Sequence, residues 1–271
     1  MCSSDLLVRA FDHSGIHRAS TPGDQASGDW LCAEAARNGP GVTRMPVRLD
    51  RTDIEEAFLE IAGERIDGLP MFDSPSTGPE GVRAAFGPGG GHPGIGFVEM
   101  PPNSASIKGQ PLELLRRSAN CTALVIATRV TGESLAPINA QFFPDTIGAP
   151  VLQVAGMHHA WLSAQAQAGS PARVVSAYRR VRAESYNVVV HAASLRRGSP
   201  VAMVTPRTGW WESTAERAGG IVAWLAGVAA AQALASRNAL GCDLHAFATC
   251  GHELGHVGLN ELFAREPALI Q

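Results

Sequence analysis

The chain reads as an α/β protein: a mostly parallel or mixed sheet with helices on both faces, plus an inserted β/α module. Three observations predict this class. Residues 181–271 alternate short apolar runs with longer helical patterns, the signature of β-α-β units. Residues 46–180 change character and carry short strands separated by Gly- and Pro-rich stretches. The whole is 271 residues, 45% hydrophobic and 17% charged, which is ample for one or two cores. The implied division is 1–45, 46–180 and 181–271, with the first and last pieces forming one domain.

The elements follow in order. Residues 5–38 hold a helix, a turn at Ser20–Gly23, and a second helix from about Asp24 to Asn38, with Asp24 as its cap and Gly39-Pro40 as its stop. Met45–Leu49 is a strand. Ile54–Ile61 is short and helical or extended, and Arg65–Pro70 is a hairpin-like return. Gly78–Gly96 is too rich in Gly and Pro for regular structure. Its GPGGGHPG run lacks the Gly-Lys-Ser/Thr ending of a phosphate loop and reads as a flexible loop. Strands are expected at Ile95–Glu99, Ala123–Thr128 and Pro150–Val154, and helices at Pro111–Ser118 and Trp161–Gln167. Then come strands at Asn187–Ala192 and Pro200–Thr205, a helix over Ala215–Ser236, and a strand over 243–249. Gly219–Ala235 is apolar but Ala/Gly-rich and short for a membrane span, so it reads as a buried helix.

Composition excludes some functions. A net charge of −3 offers no electrostatic footing for nucleic acid or an anionic membrane. Five cysteines, odd in number and without a C-x-x-C pair, fit reduced thiols. Residues 1–10 lack the apolar run of a secretory signal, so a cytoplasmic location is expected. No Gly-x-Ser-x-Gly elbow supports a serine hydrolase.

The chemistry concentrates in CGHELGHVGL, residues 250–259. Gly251 ends a strand, and a helix is expected from His252 to about Arg265. On a helix, His252 and His256 share a face four residues apart, and Glu253 lies between them. His-Glu-x-x-His is the spacing of zinc peptidases, in which the imidazoles hold the ion and the Glu takes a proton from bound water. The bland alternative is a helix start with a favourable Glu and two solvated histidines. Chemistry in parallel sheets gathers at the carboxyl ends of strands. Both 205–216 and 250–256 begin there, which places Arg207, Trp210, Trp211, Glu212 and Glu216 near the motif. Trp210, Trp211 and Glu212 are candidates for a substrate pocket. Arg207 either binds a substrate carboxylate or pairs with Glu212 or Glu216. His158-His159 reads as a solvated pair. His17-Arg18 reads as a pin for the N-terminal segment. His191 and His245 read as core or edge residues of strands, and Cys250 as a small buried residue at a strand end.

The order of motifs resembles the zinc exopeptidase family of bacterial aminopeptidases and glutamate carboxypeptidase. HRASTPGDQASGDWL (His17–Leu31) is similar to the family's N-terminal helix entry, and 45–180 resembles its protease-associated insert. NVVVHAA (Asn187–Ala193) resembles its Asn-Val strand, ERAGGIVAWL (Glu216–Leu225) its Asp-Asn-Ala-Ser-Gly-Val-Ala helix start, and CGHELGHVGL its Gly-Glu-Glu-Leu-Gly-Leu-Leu-Gly. The resemblance implies a bridging metal ligand at Glu216, the general-base position at His252, and a metal-ligating Glu at Glu253. It finds no histidine around Thr205–Arg207, where a ligand is expected. It puts the last ligands beyond Gln271, as though the chain were a fragment. Three outcomes stay open. One is a single zinc held by His252, His256 and Glu216 with Glu253 as base. Another is a weaker site on Glu216 and Glu253 completed by later ligands. The third is a site without metal. The functions to test are therefore a zinc-dependent peptidase-like hydrolase acting on small peptides, and an inactive homologue that binds a ligand or partner.

Overall fold

In a computed structural model of the protein, the described residues are 3–101, 109–130, 134–196, 198–212 and 214–270. The chain forms two compact units, Met1–Arg51 with Arg182–Gln271, and Thr52–Val181. It passes between them inside two long strands.

The first unit opens with α1 (Ser3–Asp12) and α2 (Pro22–Ala36), followed by β1 (Val42–Ile61). The cap of α2 is Thr21, not Asp24: its side chain accepts the Asp24 N–H, and Pro22 occupies the first helical turn. Asp24 reaches back to accept the Ser20 N–H at 2.6 Å, a reciprocal pairing that closes the helix start.

The second unit continues β1 through a turn at Ala62-Gly63 into antiparallel β2 (Glu64–Asp67), then β3 (Leu69–Pro70). Val82–Pro88 is β4, a strand where the Gly/Pro content predicted none. Its Phe86 is fully buried, and the strand pairs in parallel with β5 (Ile95–Met100). Burial of an aromatic outweighs the local cost of neighbouring glycines. After α3 (Pro111–Ser118) come β6 (Ala123–Thr128), β7 (Val151–Ala155) and α4 (His159–Ala168). β5, β6 and β7 are parallel, and β3 pairs antiparallel with β7. All six residues of β6 are buried, as its unbroken apolar run requires. The core holds Leu59, Phe86, Ile95, Val125, Leu152, Val154 and Leu162. Arg116 and Asp73 form a buried ion pair at 2.8 Å. β8 (Pro171–Ala192) then leads back to the first unit.

There β9 (Gly198–Pro206), α5 (Gly219–Ser236) and β10 (Cys242–Thr249) make a strand–helix–strand unit, with β9 and β10 parallel. β8 pairs with β10 in the antiparallel sense, Leu244 opposite Ala192 and Ala248 opposite Val188, so the sheet is mixed. Alternate residues point to opposite faces. Val188, Val190, Ala246 and Ala248 face one way, into a core with Phe11, Leu31, Ile221, Trp224, Leu225 and Val228. That core accounts for the apolar stretch of α5, which by length and composition alone is also sufficient to cross a membrane. α6 (Val257–Arg265) closes the described fold before a final short turn.

Candidate functional site

The motif segment follows β10, but it does not start a helix. His252–Leu254 forms one 3-10 turn, and α6 begins only at Val257. Gly251, Gly255 and His256 all have left-handed backbone, with φ of 69°, 66° and 60°. Two such residues in a row break any continuous helix between the histidines. The i,i+4 argument for a shared helical face therefore does not hold. The imidazoles of His252 and His256 still meet, edge to face, with centroids 4.3 Å apart. The loop brings them together where the helix was expected to.

Two glycines make the turn. A Cβ on Gly251 would lie 2.1 Å from Val257 Cγ1, at a φ that L residues avoid. A Cβ on Gly258 would lie 2.5 Å from Asn187 Oδ1 and from the Cys250 carbonyl. Asn187 clamps this junction. Its Oδ1 accepts the Cys250 N–H at 2.9 Å and its Nδ2 donates to the Gly258 carbonyl at 2.8 Å. We expect Gly251→Ala to destabilise the first unit by about 2 kcal/mol, combining the left-handed penalty with a tight contact. A urea midpoint unchanged from wild type would count against this account of the turn.

Glu253 is completely buried. Its Oε1 accepts the Ala19 N–H at 2.6 Å, and its Oε2 accepts the Thr208 hydroxyl at 2.8 Å. Thr208 Oγ1 in turn accepts the Gly251 N–H at 2.7 Å. Burial pushes the Glu253 carboxyl up to about 7, against these hydrogen bonds, which favour its ionised form. Arg217 lies on the short π-type turn Thr214–Ala218 before α5. Its Nε donates to the Thr208 carbonyl at 2.7 Å, and it pairs with exposed Glu216 at 2.6 Å. Burial, then the Arg217 charge, holds His252 down to about 3 and lowers His256 as well. Both rings are therefore neutral near pH 7, beside a fixed guanidinium.

The remaining candidates separate. Arg207 is buried and pairs with Asp24 at 2.5 Å, not with Glu212 or Glu216. It also donates to the Tyr186 carbonyl, at 2.6 Å from Nη2, and to Ser185 Oγ at 3.1 Å. Burial alone pulls the guanidinium down, but Asp24 and its neighbours hold it above the usual arginine value. No surface is left on Arg207 for a substrate carboxylate. Trp210 is buried, whereas Trp211 is 41% exposed and Glu212 is exposed. His17 is buried and stacks on Phe11 with centroids 3.9 Å apart. Burial lowers it to about 4, and neither ring nitrogen has a hydrogen-bond partner. It pins the N-terminal segment through its backbone, with its N–H donating to the Trp211 carbonyl and its carbonyl accepting the Gly209 N–H. Cys250 is buried at the strand end, and burial pushes its thiol up to about 12, so it is inert.

Asp24, Asn187, Thr208 and Arg217 organise this region, and no spacing rule in the sequence marks them. The one available signal was charge: a buried arginine demands a carboxylate, and Asp24 lies 183 residues from Arg207. Among the described residues, the group of three or more His, Cys, Asp or Glu whose ligand atoms all lie within 4.8 Å is His191, Asp243 and His245. His252, His256, Glu216 and Glu253 do not form such a group.

This mixed-sheet fold is shared with solved structures of bacterial zinc aminopeptidases and peptidases. Solved structures that share it include a zinc aminopeptidase from Bacillus subtilis (TM-score 0.73, 15% identity, 96% of this chain and 64% of that one), an aminopeptidase from Aneurinibacillus sp. strain AM-1 (0.66, 14%, 97% and 66%) and a peptidase M28 precursor from Shewanella amazonensis SB2B (0.75, 16%, 98% and 67%). The chain spans about two thirds of the length of these proteins. No family model and no curated protein matches the sequence.

The fold family implies zinc, and the residues at the motif do not fit it. Both Glu253 oxygens are taken by Ala19 and Thr208, Glu216 is turned to Arg217, and the Arg217 cation opposes a dication beside the imidazoles.

Proposed function

We propose that this chain is a non-hydrolytic protein on a peptidase fold, serving to bind a small peptide or a partner. The observation that carries this reading is the inward-facing Glu253, wholly buried, with each carboxylate oxygen engaged by the protein itself. A general base must first reach its proton, and only then does its pKa matter. The rim of this region offers exposed Trp211, Glu212 and Glu216. An indole face beside carboxylates suits the amino end of a short peptide.

The competing reading is a zinc-dependent hydrolase. It is favoured by the Glu253 value of about 7, where an acid–base group works well, and by the contact of His252 with His256. Structural networks raise carboxyl values equally well, and here the desolvation of Glu253 accounts for the rise.

Assays of the whole chain with aminoacyl p-nitroanilides and peptide amides, with zinc or cobalt added in excess, should give no turnover above the blank. Dipeptides should quench tryptophan fluorescence in the wild type and not in Trp211→Phe. Turnover that disappears in Glu253→Gln would establish the hydrolase instead.

A further inference from the structure

Away from the motif turn, on the face of the sheet opposite the α5 core, a second group of side chains has an arrangement suited to a metal. His191 on β8 lies directly opposite His245 on β10 in the antiparallel register. Their rings stack with centroids 4.6 Å apart and planes within 20°. Asp243, two residues before His245, shares its face because side chains repeat every second residue. The Ser194 N–H donates to Asp243 Oδ1 at 2.7 Å, which fixes the carboxylate and turns Oδ2 toward His191 Nε2, 3.5 Å away. One ligand atom from each of the three side chains lies within 4.8 Å of the other two.

We infer that His191, Asp243 and His245 bind one divalent transition-metal ion of the zinc type. Two imidazoles and a carboxylate are a borderline donor set that zinc accepts and that calcium and magnesium do not favour. Around a tetrahedral zinc, donor atoms sit about 3.3 Å apart, so the three close on an ion by rotamer shifts of about 1 Å. The 3.5 Å His191–Asp243 separation is long for a charge-assisted hydrogen bond. The pair is therefore not already locked against such a shift. The hydrogen bond from Ser194 is the supporting contact that orients a metal-binding carboxylate. His191 and Asp243 are 46% and 39% exposed, so an ion enters from solvent and keeps a fourth position open to water. His245 lies four residues, about 13 Å of extended chain, before the end of β10, so this group is distinct from the His252–His256 contact.

The test uses the whole chain, stripped with a chelator and titrated with zinc by calorimetry, and with cobalt by visible absorption. One equivalent should bind, with the cobalt spectrum of a low-coordinate site. H191A and H245A should each weaken binding about tenfold or more, and D243N should weaken it measurably. H252A/H256A should bind as wild type. Unfolding of the stripped variants, followed alongside, separates lost binding from lost structure. Either no zinc uptake by the wild type, or zinc uptake undiminished in H191A/H245A, overturns the inference. Zinc lost in H252A/H256A but kept in H191A/H245A overturns it too, and moves the metal to the motif turn, against the non-hydrolytic reading.

Discussion

Replacing Arg207 with alanine is expected to destabilise the first unit by about 3–5 kcal/mol, the cost of leaving a buried carboxylate without its partner. Asp24 is 2% exposed and its Oδ1 meets Arg207 at 2.5 Å, and no solvent reaches in to replace the guanidinium. The loss spreads further, because the same guanidinium donates to the Tyr186 carbonyl and Ser185 Oγ, and stacks at 4.6 Å on the Tyr186 ring. Three segments would separate: the α2 start, the turn after β9 that carries Arg207, and β8 at Ser185 and Tyr186. Thermal unfolding should shift down by about 10 °C in the transition belonging to this unit. Arg207→Lys should recover part of the loss, since it keeps the charge but not the fork of donors. A shift below about 2 °C for the alanine variant would mean that the pair contributes little and the network is held by packing alone.

Glu253 should impose a pH dependence on the same unit. Its folded carboxyl titrates at about 7, above the ordinary glutamate value, because burial disfavours the ion. Between about pH 4.5 and 7 the folded state therefore binds more protons than the unfolded state. Stability contributed by this group is full below about 4.5, falls as pH rises through that window, and is lost above 7. The range amounts to on the order of 3 kcal/mol at most. Glu253→Gln removes the titration. Its carbonyl still accepts from Ala19, and its amide can meet Thr208 Oγ1. The variant should show a flatter stability profile from pH 5 to 8 and should equal or exceed wild type at pH 8. Glu253→Ala, by contrast, strands the Ala19 N–H and should be less stable at every pH. Urea midpoints measured across pH 5 to 8 decide this. A Gln variant that keeps the wild-type slope would assign the pH dependence to other groups.

Much of the architecture was legible in the sequence because periodicity is local. The runs at 123–128 and 243–249 are strands, and 111–118, 161–167 and 219–236 are helical, as their patterns require. Where local chemistry and burial disagree, the pattern misleads. Val82–Pro88 is a strand despite its neighbouring glycines, because Phe86 is sealed into a core assembled from distant strands. Residues 252–256 hold a single 3-10 turn and no α-helix, although their His-Glu-x-x-His spacing matches a motif that elsewhere is helical. His256 in left-handed backbone has no sequence signature, since nothing in its side chain demands that conformation.

The candidate site divides in the same way. Spacing put His252 and His256 on one helical face; they meet instead across a loop with left-handed backbone at Gly255 and His256. It could not say where Glu253 points, because that depends on Ala19 and Thr208, which lie 234 and 45 residues away. Nor could it see His191 opposite His245, since cross-strand partners become visible only when the register is known.

By itself the sequence determined the class of this protein: alternating strands and helices, a core of ordinary size, and a histidine-bearing segment after the strand at 243–249. These properties depend on neighbours along the chain. Only the tertiary structure decided which charges are buried together and which imidazoles share a sheet face. Both depend on contacts between residues far apart in the chain, whose free energies are comparable with the net stability of a domain.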